Sequence, residues 1–129
     1  MGGKRWGEVG YFIQPTIFTN VHENMKIMKE EIFGPVVAIS KFKDEKEVIE
    51  KAHSTEYGLA AAVFTQDISK AIRVSNDLQA GTVWVNCYNC LDASTPFGGY
   101  KESGFGRELG KYAIALYTQV KTVKINIAS

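Results

Sequence analysis

Cys87-Tyr88-Asn89-Cys90 sets two thiols three positions apart, a spacing that serves a thiol–disulfide couple or half of a zinc site. Zinc needs a second ligand pair, and the two histidines, His22 and His53, stand apart from this motif and from each other. A thioredoxin-type couple opens on a helix N-terminus, whereas Cys87 follows a strand pattern and enters a loop, so the spacing reads as coincidental. Gly104-Phe105-Gly106-Arg107-Glu108-Leu109-Gly110 is one residue too long for a dinucleotide fingerprint and has no strand directly before it. Nor is Gly110-Lys111 a P-loop, because Tyr112 follows it and Phe105 stands where a glycine is required. These glycines read as shapers of turns. Glu30-Glu31-Ile32-Phe33-Gly34-Pro35 is less ordinary, with a carboxylate and an aromatic at i and i+2 just before a Gly-Pro break. A carboxylate can accept two hydrogen bonds from sugar hydroxyls, and an aromatic beside it can pack against a flat ring. By spacing alone the better reading of the same residues is a helix end with a buried Phe and an exposed Glu.

The elements that must position these groups belong to one domain. The chain has 129 residues, 45% hydrophobic and 22% charged, which is near the globular average and argues against wholesale disorder. A chain of this length can bury about two-thirds of its unfolded surface in one core. Fifteen Lys+Arg against fourteen Asp+Glu leave a net charge of +1, which gives no general attraction to nucleic acid or acidic membranes. No apolar run approaches the roughly 20 residues of a membrane-spanning helix. The N-terminal residues lack the apolar core of a secretory signal, so a cytoplasmic location is expected, with a mitochondrial one left open.

The pattern reads β-α-β-α-β. Short extended pieces flank Pro15, and Asn24 is placed to cap a short helix through Glu30 that Gly34-Pro35 stops. Residues 36–42 form the first strand of the main unit. Asp44 caps a helix with Val48, Ile49 and Ala52 on one face and Glu47 paired to Lys51 on the other. Residues 60–65 are a buried strand, Asp67 caps a second helix, and Gly81 ends it in a left-handed conformation. Thr82–Val85 is the third strand. Parallel strands with right-handed crossovers and helices on both faces are expected. Beyond Asn86 the chain is irregular, with a helix at 107–116 and an alternating terminal strand at 120–127. The carboxylates at 44–50 read as a solvated helix face, and Met25 and Met28 as packing residues.

Several longer motifs occur in a recognisable order. They include Gly10-Tyr11-Phe12-Ile13-Gln14-Pro15-Thr16, the segment 29–35, Tyr57-Gly58-Leu59-Ala60-Ala61 and Gln79-Ala80-Gly81-Thr82-Val83-Trp84-Val85-Asn86. Pro96-Phe97-Gly98-Gly99-Tyr100-Lys101-Glu102-Ser103-Gly104, Gly106-Arg107-Glu108-Leu109-Gly110 and Val120-Lys121-Thr122-Val123 follow. Across nearly its whole length the chain resembles the C-terminal part of NAD(P)-dependent aldehyde dehydrogenases. It most resembles the tetrameric cytosolic and mitochondrial group, and within that group a fungal member.

The resemblance implies an α/β fold in which residues 1–117 are the C-terminal part of the catalytic domain. Residues 118–129 are the oligomerisation strand and tail, which make a homo-oligomer across subunits. It implies that Glu31 holds the hydroxyls of the nicotinamide ribose of NAD or NADP and that Phe33 contacts the nicotinamide side. Both are positioning roles. Asn89, Leu91 and Phe97 match the lining of the aldehyde entrance tunnel, where Leu91 stands at a position that is commonly aromatic. The family oxidises an aldehyde to a carboxylic acid through a cysteine nucleophile and a glutamate base, and both lie N-terminal to everything present here. Cys87 and Cys90 do not match the nucleophile, so no catalytic residue and no metal ligand is carried over. The resemblance thus implies a fragment that is inactive by itself. Two other readings are a short non-catalytic chain that binds full-length subunits through its terminal strand, and a redox protein using Cys87 and Cys90.

Overall fold

The computed structural model describes residues 1–127. Its strands are β1 (Thr16–Thr19), β2 (Val36–Ile39), β3 (Tyr57–Gly58), β4 (Ala60–Val63), β5 (Thr82–Val85) and β6 (Tyr100–Lys101). Its helices are α1 (Lys26–Lys29), α2 (Glu45–His53), α3 (Ile68–Asp77) and α4 (Ala113–Leu116).

The expected single β-α-β-α-β sheet is divided. β4 and β5 pair in parallel, Ala60 opposite Thr82 through Val63 opposite Val85, with α3 as the crossover between them. The first strand of the expected unit, β2, takes β1 as its parallel partner instead, Thr16 opposite Val36 through Thr19 opposite Ile39. The residues after Pro15, which read as a loose extended piece, supply the ladder bonds that β2 needs. β3 and β6 make a two-residue antiparallel contact that ties the 98–103 turn to the start of β4.

Strands 36–42 and 60–65 are shorter than their sequence patterns. The β4–β5 ladder is continued by a side chain. The Asn86 amide accepts from Thr65 N at 2.8 Å and donates to Thr65 O at 2.9 Å. Asn86 itself has φ 55, a left-handed conformation that asparagine tolerates, so the backbone turns away while its amide completes the pairing.

The helix starts follow the capping chemistry where an Asp is present. Asp44 Oδ1 accepts from Glu47 N at 2.8 Å, and Asp67 Oδ1 accepts from Ser69 N and Lys70 N at 2.9 and 3.1 Å. Asn24 is not a cap: α1 begins after Met25, which makes no side-chain cap bond, and lasts one turn. The helix expected at 107–116 shrinks to Ala113–Leu116, because Leu109 and Gly110 at φ 61 and 55 interrupt it with left-handed backbone.

Gly81 is needed for a different reason from the one its position suggests. Its φ is not left-handed, and α3 has already ended at Leu78. A Cβ at Gly81 would collide with the Gly98 carbonyl. Glycine is what lets the start of β5 lie against the 98–99 backbone.

Two carboxylates lock α2 and its neighbours. Glu45 receives Arg73 Nε at 2.6 Å and Nη2 at 2.8 Å, which joins α2 to α3. Glu47 meets Lys51 at 2.9 Å, as its i,i+4 spacing predicts. The Arg73 bond holds the Glu45 carboxyl below its ordinary range. The Lys43 N–H and then Lys51 do the same for Glu47, and the Lys70 and Ser69 N–H groups for Asp67. A depressed carboxylate stabilises the fold above its unfolded value of about 4, and that contribution is lost as pH falls through the folded value. Helical circular dichroism of the chain should therefore hold between pH 7 and pH 5 and fall below about pH 4. A signal that strengthens on acidification through that window would contradict these contacts.

The core is smaller than length predicts. Only Val21, Ala71, Val74 and Trp84 are buried hydrophobics among the described residues. The chain exposes 10891 Å², whereas a compact monomer of 14.3 kDa exposes about 6,800 Å². It buries about half of its unfolded surface rather than two-thirds. The alternating segment at 120–127 forms no strand among the described residues, and Val120, Val123, Ile125 and Ile127 stand exposed. A strand requires a ladder partner, and the chain offers this segment none. Residues 128 and 129 of the expected tail lie outside the described residues.

Candidate functional site

Glu31 and Phe33 lie on the connection from α1 to β2. Glu30 N donates to Lys26 O to close α1, and Gly34 N donates to Ile32 O in a tight turn that Pro35 follows. Thr16 N donates to Pro35 O at 2.9 Å, so the end of this connection is fastened to β1. The two side chains project from a short, anchored segment. Phe33 is 95% exposed rather than buried, which removes the reading of this segment as a helix end with a buried Phe. Neighbouring Glu30 is engaged by Lys26 at 3.5 Å. The exposed Glu31 carboxylate has no ion-pair partner among the described residues. A free carboxylate and a bare ring two positions apart are what a ribose diol and a flat heterocycle would require of this chain.

Asn89, Leu91 and Phe97 lie on the long connection after β5. This loop is built on Trp84, whose Nε1 donates to Cys90 O at 2.8 Å and whose ring meets Tyr88 edge-on at 5.5 Å. Asn89 takes φ 54 to make the bend. Asp92 accepts from Ser94 N and Ser94 Oγ, and Thr95 donates to Asp92 O. The Ser94 hydroxyl, and then the Ser94 N–H, hold the Asp92 carboxyl below its ordinary range. Phe97 exchanges two backbone hydrogen bonds of 2.8 Å with Glu108. Asn89 and Leu91 are exposed and Phe97 is half-buried. The structure thus gathers these three on one braced loop and sets Glu31 and Phe33 on another segment.

Sequence reasoning missed the braces. Arg107 Nη1 donates to Gly99 O at 3.0 Å and Gly106 O at 2.6 Å while its guanidinium lies over Tyr100 at 5.6 Å. Lys101, at φ 52, donates to His53 O and Thr55 O. A tryptophan at the end of a strand was the one available signal, since a buried indole N–H needs an acceptor.

The glycine-rich stretch shapes turns as expected, with Gly104, Gly106 and Gly110 all at positive φ. Cys87 and Cys90 are free thiols, half-buried and exposed respectively. Burial, and then the neighbouring Cys90 thiol, push the Cys87 thiol above its ordinary range, the wrong direction for a nucleophile at neutral pH. No cluster of three metal-ligating side chains exists among the described residues, and no helix there is long and apolar enough to cross a membrane. A cavity of about 630 Å³ lies between α2, β4 and α3, lined by groups such as Val48, Val63 and Val74. It includes none of the five residues above.

The aldehyde dehydrogenase family model matches residues 1–123. The chain belongs to the aldehyde dehydrogenase family. The members of this family are oxidoreductases. An aldehyde dehydrogenase of Agaricus bisporus is 63% identical over 127 residues, covering 98% of this chain and 25% of its own length. Aldehyde dehydrogenase 1A1 of Gallus gallus is 63% identical over 126 residues with the same coverage. The fold is shared with an aldehyde dehydrogenase of Bacillus cereus solved as its NAD+ complex, at a TM-score of 0.93 and 56% identity over 99% of this chain and 26% of that one. The chain therefore spans about a quarter of the length of the aldehyde dehydrogenases it matches.

Proposed function

We propose that this chain is the C-terminal part of the catalytic domain of an NAD(P)-dependent aldehyde dehydrogenase that oxidises an aldehyde to a carboxylic acid. Glu31 orients the nicotinamide ribose through its two hydroxyls, and Phe33 packs at the nicotinamide side. When bound, NAD(P)+ accepts the hydride. This chain contributes orientation, which lowers the barrier by holding the acceptor ring in one place rather than by making a bond. Asn89, Leu91 and Phe97 line the approach of the aldehyde, with the Trp84 and Asp92 braces fixing their loop. Residues 1–117 form the domain part. The segment at 118–127 is the strand that pairs with a neighbouring subunit in a homo-oligomer, where its alternating residues find the ladder the chain lacks.

The observation that carries this reading is the excess surface. About 4,000 Å² more is exposed than a compact monomer of this mass would show, in a chain that matches one quarter of its relatives at a TM-score of 0.93. The surface is that of a piece whose neighbouring strands and partners belong to a larger body. With no nucleophile or general base carried by its residues, the purified 129-residue chain should form no NADH from NAD+ and an aldehyde, while the full-length enzyme should. Aldehyde-dependent NADH formation by the chain alone would overturn the assignment.

A further inference from the structure

We propose that Thr16 is a positioning residue for the Glu31–Phe33 segment, which it fixes through a run of hydrogen bonds without touching the cofactor. This inference rests on the reading of Glu31 and Phe33 as the groups that meet NAD(P)+. Thr16 is 4% exposed, and no other polar or charged residue among the described residues is buried. A hydroxyl taken out of water needs partners, and Thr16 has two. Gly3 N donates to Thr16 Oγ1 at 2.7 Å, and Oγ1 donates to Gln14 O at 2.8 Å. The Thr16 N–H donates to Pro35 O at 2.9 Å, at the start of the ladder that sets Thr16 opposite Val36. One residue thus joins the N-terminal stretch, the residue before Pro15 and the start of β2. The fit has no slack, because Gly2 lies so close that a Cβ there would collide with the Pro15 carbonyl.

From Pro35 the bonds run back to the candidate site. Val36 N donates to Gly34 O at 2.8 Å, and Gly34 N donates to Ile32 O at 2.9 Å. Each bond closes a three-residue turn. Ile32 is the residue between Glu31 and Phe33. The other end of the segment is held less firmly. There α1 is a single turn of four residues with no side-chain cap and no buried residue, too short to be stable by itself. The β1 side therefore determines where the Glu31 carboxylate and the Phe33 ring stand. A residue without the hydroxyl at position 16 would leave the Gly3 N–H and the Gln14 carbonyl without their partner. β1 would shift to satisfy them, and the Pro35 bond would carry the shift to Ile32. A displaced nicotinamide ring accepts hydride less readily. Asn89, Leu91 and Phe97 share none of these bonds, so the aldehyde side is spared.

The test is steady-state kinetics of the full-length enzyme carrying T16V, T16S or E31Q, with NAD+ and the aldehyde varied in turn. T16V should raise KM for NAD+ about threefold to tenfold, the effect of one unmade hydrogen bond. It should lower kcat and leave KM for the aldehyde unchanged. T16S keeps the hydroxyl and should restore wild-type values for both substrates. T16A also lacks the hydroxyl, adds no bulk and should show the same split, so it serves where T16V does not fold. Unchanged cofactor kinetics, equal losses for both substrates, or a T16S enzyme no better than T16V would each overturn the proposal. E31Q keeps the two claims apart. A raised KM for NAD+ in E31Q with none in T16V overturns the role of Thr16 alone, whereas an unchanged KM in both also overturns the reading of Glu31 beneath it.

Discussion

Replacing Glu31 by Gln in the full-length enzyme should lower kcat/KM for NAD+ by about tenfold to a hundredfold, as expected when a charge-assisted hydrogen-bond acceptor becomes a neutral one. The amide keeps the size of the side chain but loses the anionic acceptor that two hydroxyls can share, and it presents a donor where an acceptor is required. Glu31 lies at the surface with Glu30 already engaged by Lys26, so no internal contact of the chain is lost and folding should be unaffected. The loss should divide between KM for the cofactor and kcat. Weaker holding of the ribose raises KM, and a ring that wanders from its acceptor position lowers kcat. Steady-state kinetics with NAD+ as the varied substrate, together with an unchanged unfolding midpoint, checks this. Unaltered kinetics in E31Q would remove Glu31 from the cofactor site.

The second large effect is structural. Gly81→Ala should destabilise the protein by at least about 2 kcal/mol, because the added methyl is forced into backbone that cannot swing aside. The colliding atom is the Gly98 carbonyl, with Gly99 Cα directly behind it at 3.3 Å. That backbone is itself pinned, since Arg107 holds Gly99 O and β6 is paired to β3. Relief would have to push apart β5 and the turn that follows Phe97, so the substitution should disturb the aldehyde-side loop along with stability. Gly34→Ala is the matched control: a Cβ there meets nothing within 4 Å. Unfolding midpoints in the full-length enzyme should fall by several degrees for G81A and stay nearly constant for G34A. Equal midpoints would mean that the close approach at Gly98 is not a constraint.

The local chemistry of this fold was legible in the sequence, and the long-range pairing was not. Asp44 and Asp67 each cap a helix because an aspartate before an amphipathic run can satisfy an orphan N–H wherever the helix goes. The β4–α3–β5 unit was legible for the same reason, since a short strand, a capped helix and a second apolar strand close on each other. The partner of β2 was hidden. A four-residue strand carries too little pattern to select its neighbour, and β1 is separated from it by α1 and the 30–35 turn. Gly81 illustrates a related limit. Its identity was informative, but its cause lies seventeen positions away at Gly98, where no local rule points.

At the candidate site, Glu31-Ile32-Phe33 could be singled out by residue type, yet spacing alone favoured a helix end in which Phe33 was buried. The resemblance to the family assigned the residues their roles, and exposure of the ring set aside the buried alternative. The residues that fix the 87–106 stretch were not legible because their partners are carbonyl groups, which leave no trace in a sequence. Trp84 reaches Cys90 O, and Arg107 reaches Gly99 O and Gly106 O. The expected terminal strand at 120–127 rested on its alternation and on the family resemblance. Alternation specifies a face to be covered but not the strand that covers it.

The measurement that bears most directly on this account is the intact mass of the native protein, captured from its source with an antibody against the C-terminal peptide. The chain of 14.3 kDa spans 25% of the length of its relatives. The native polypeptide should therefore be about four times as heavy, with the surface left open here covered by the rest of the enzyme. A native polypeptide of 14.3 kDa, stable and monomeric in solution with that surface exposed, would contradict it.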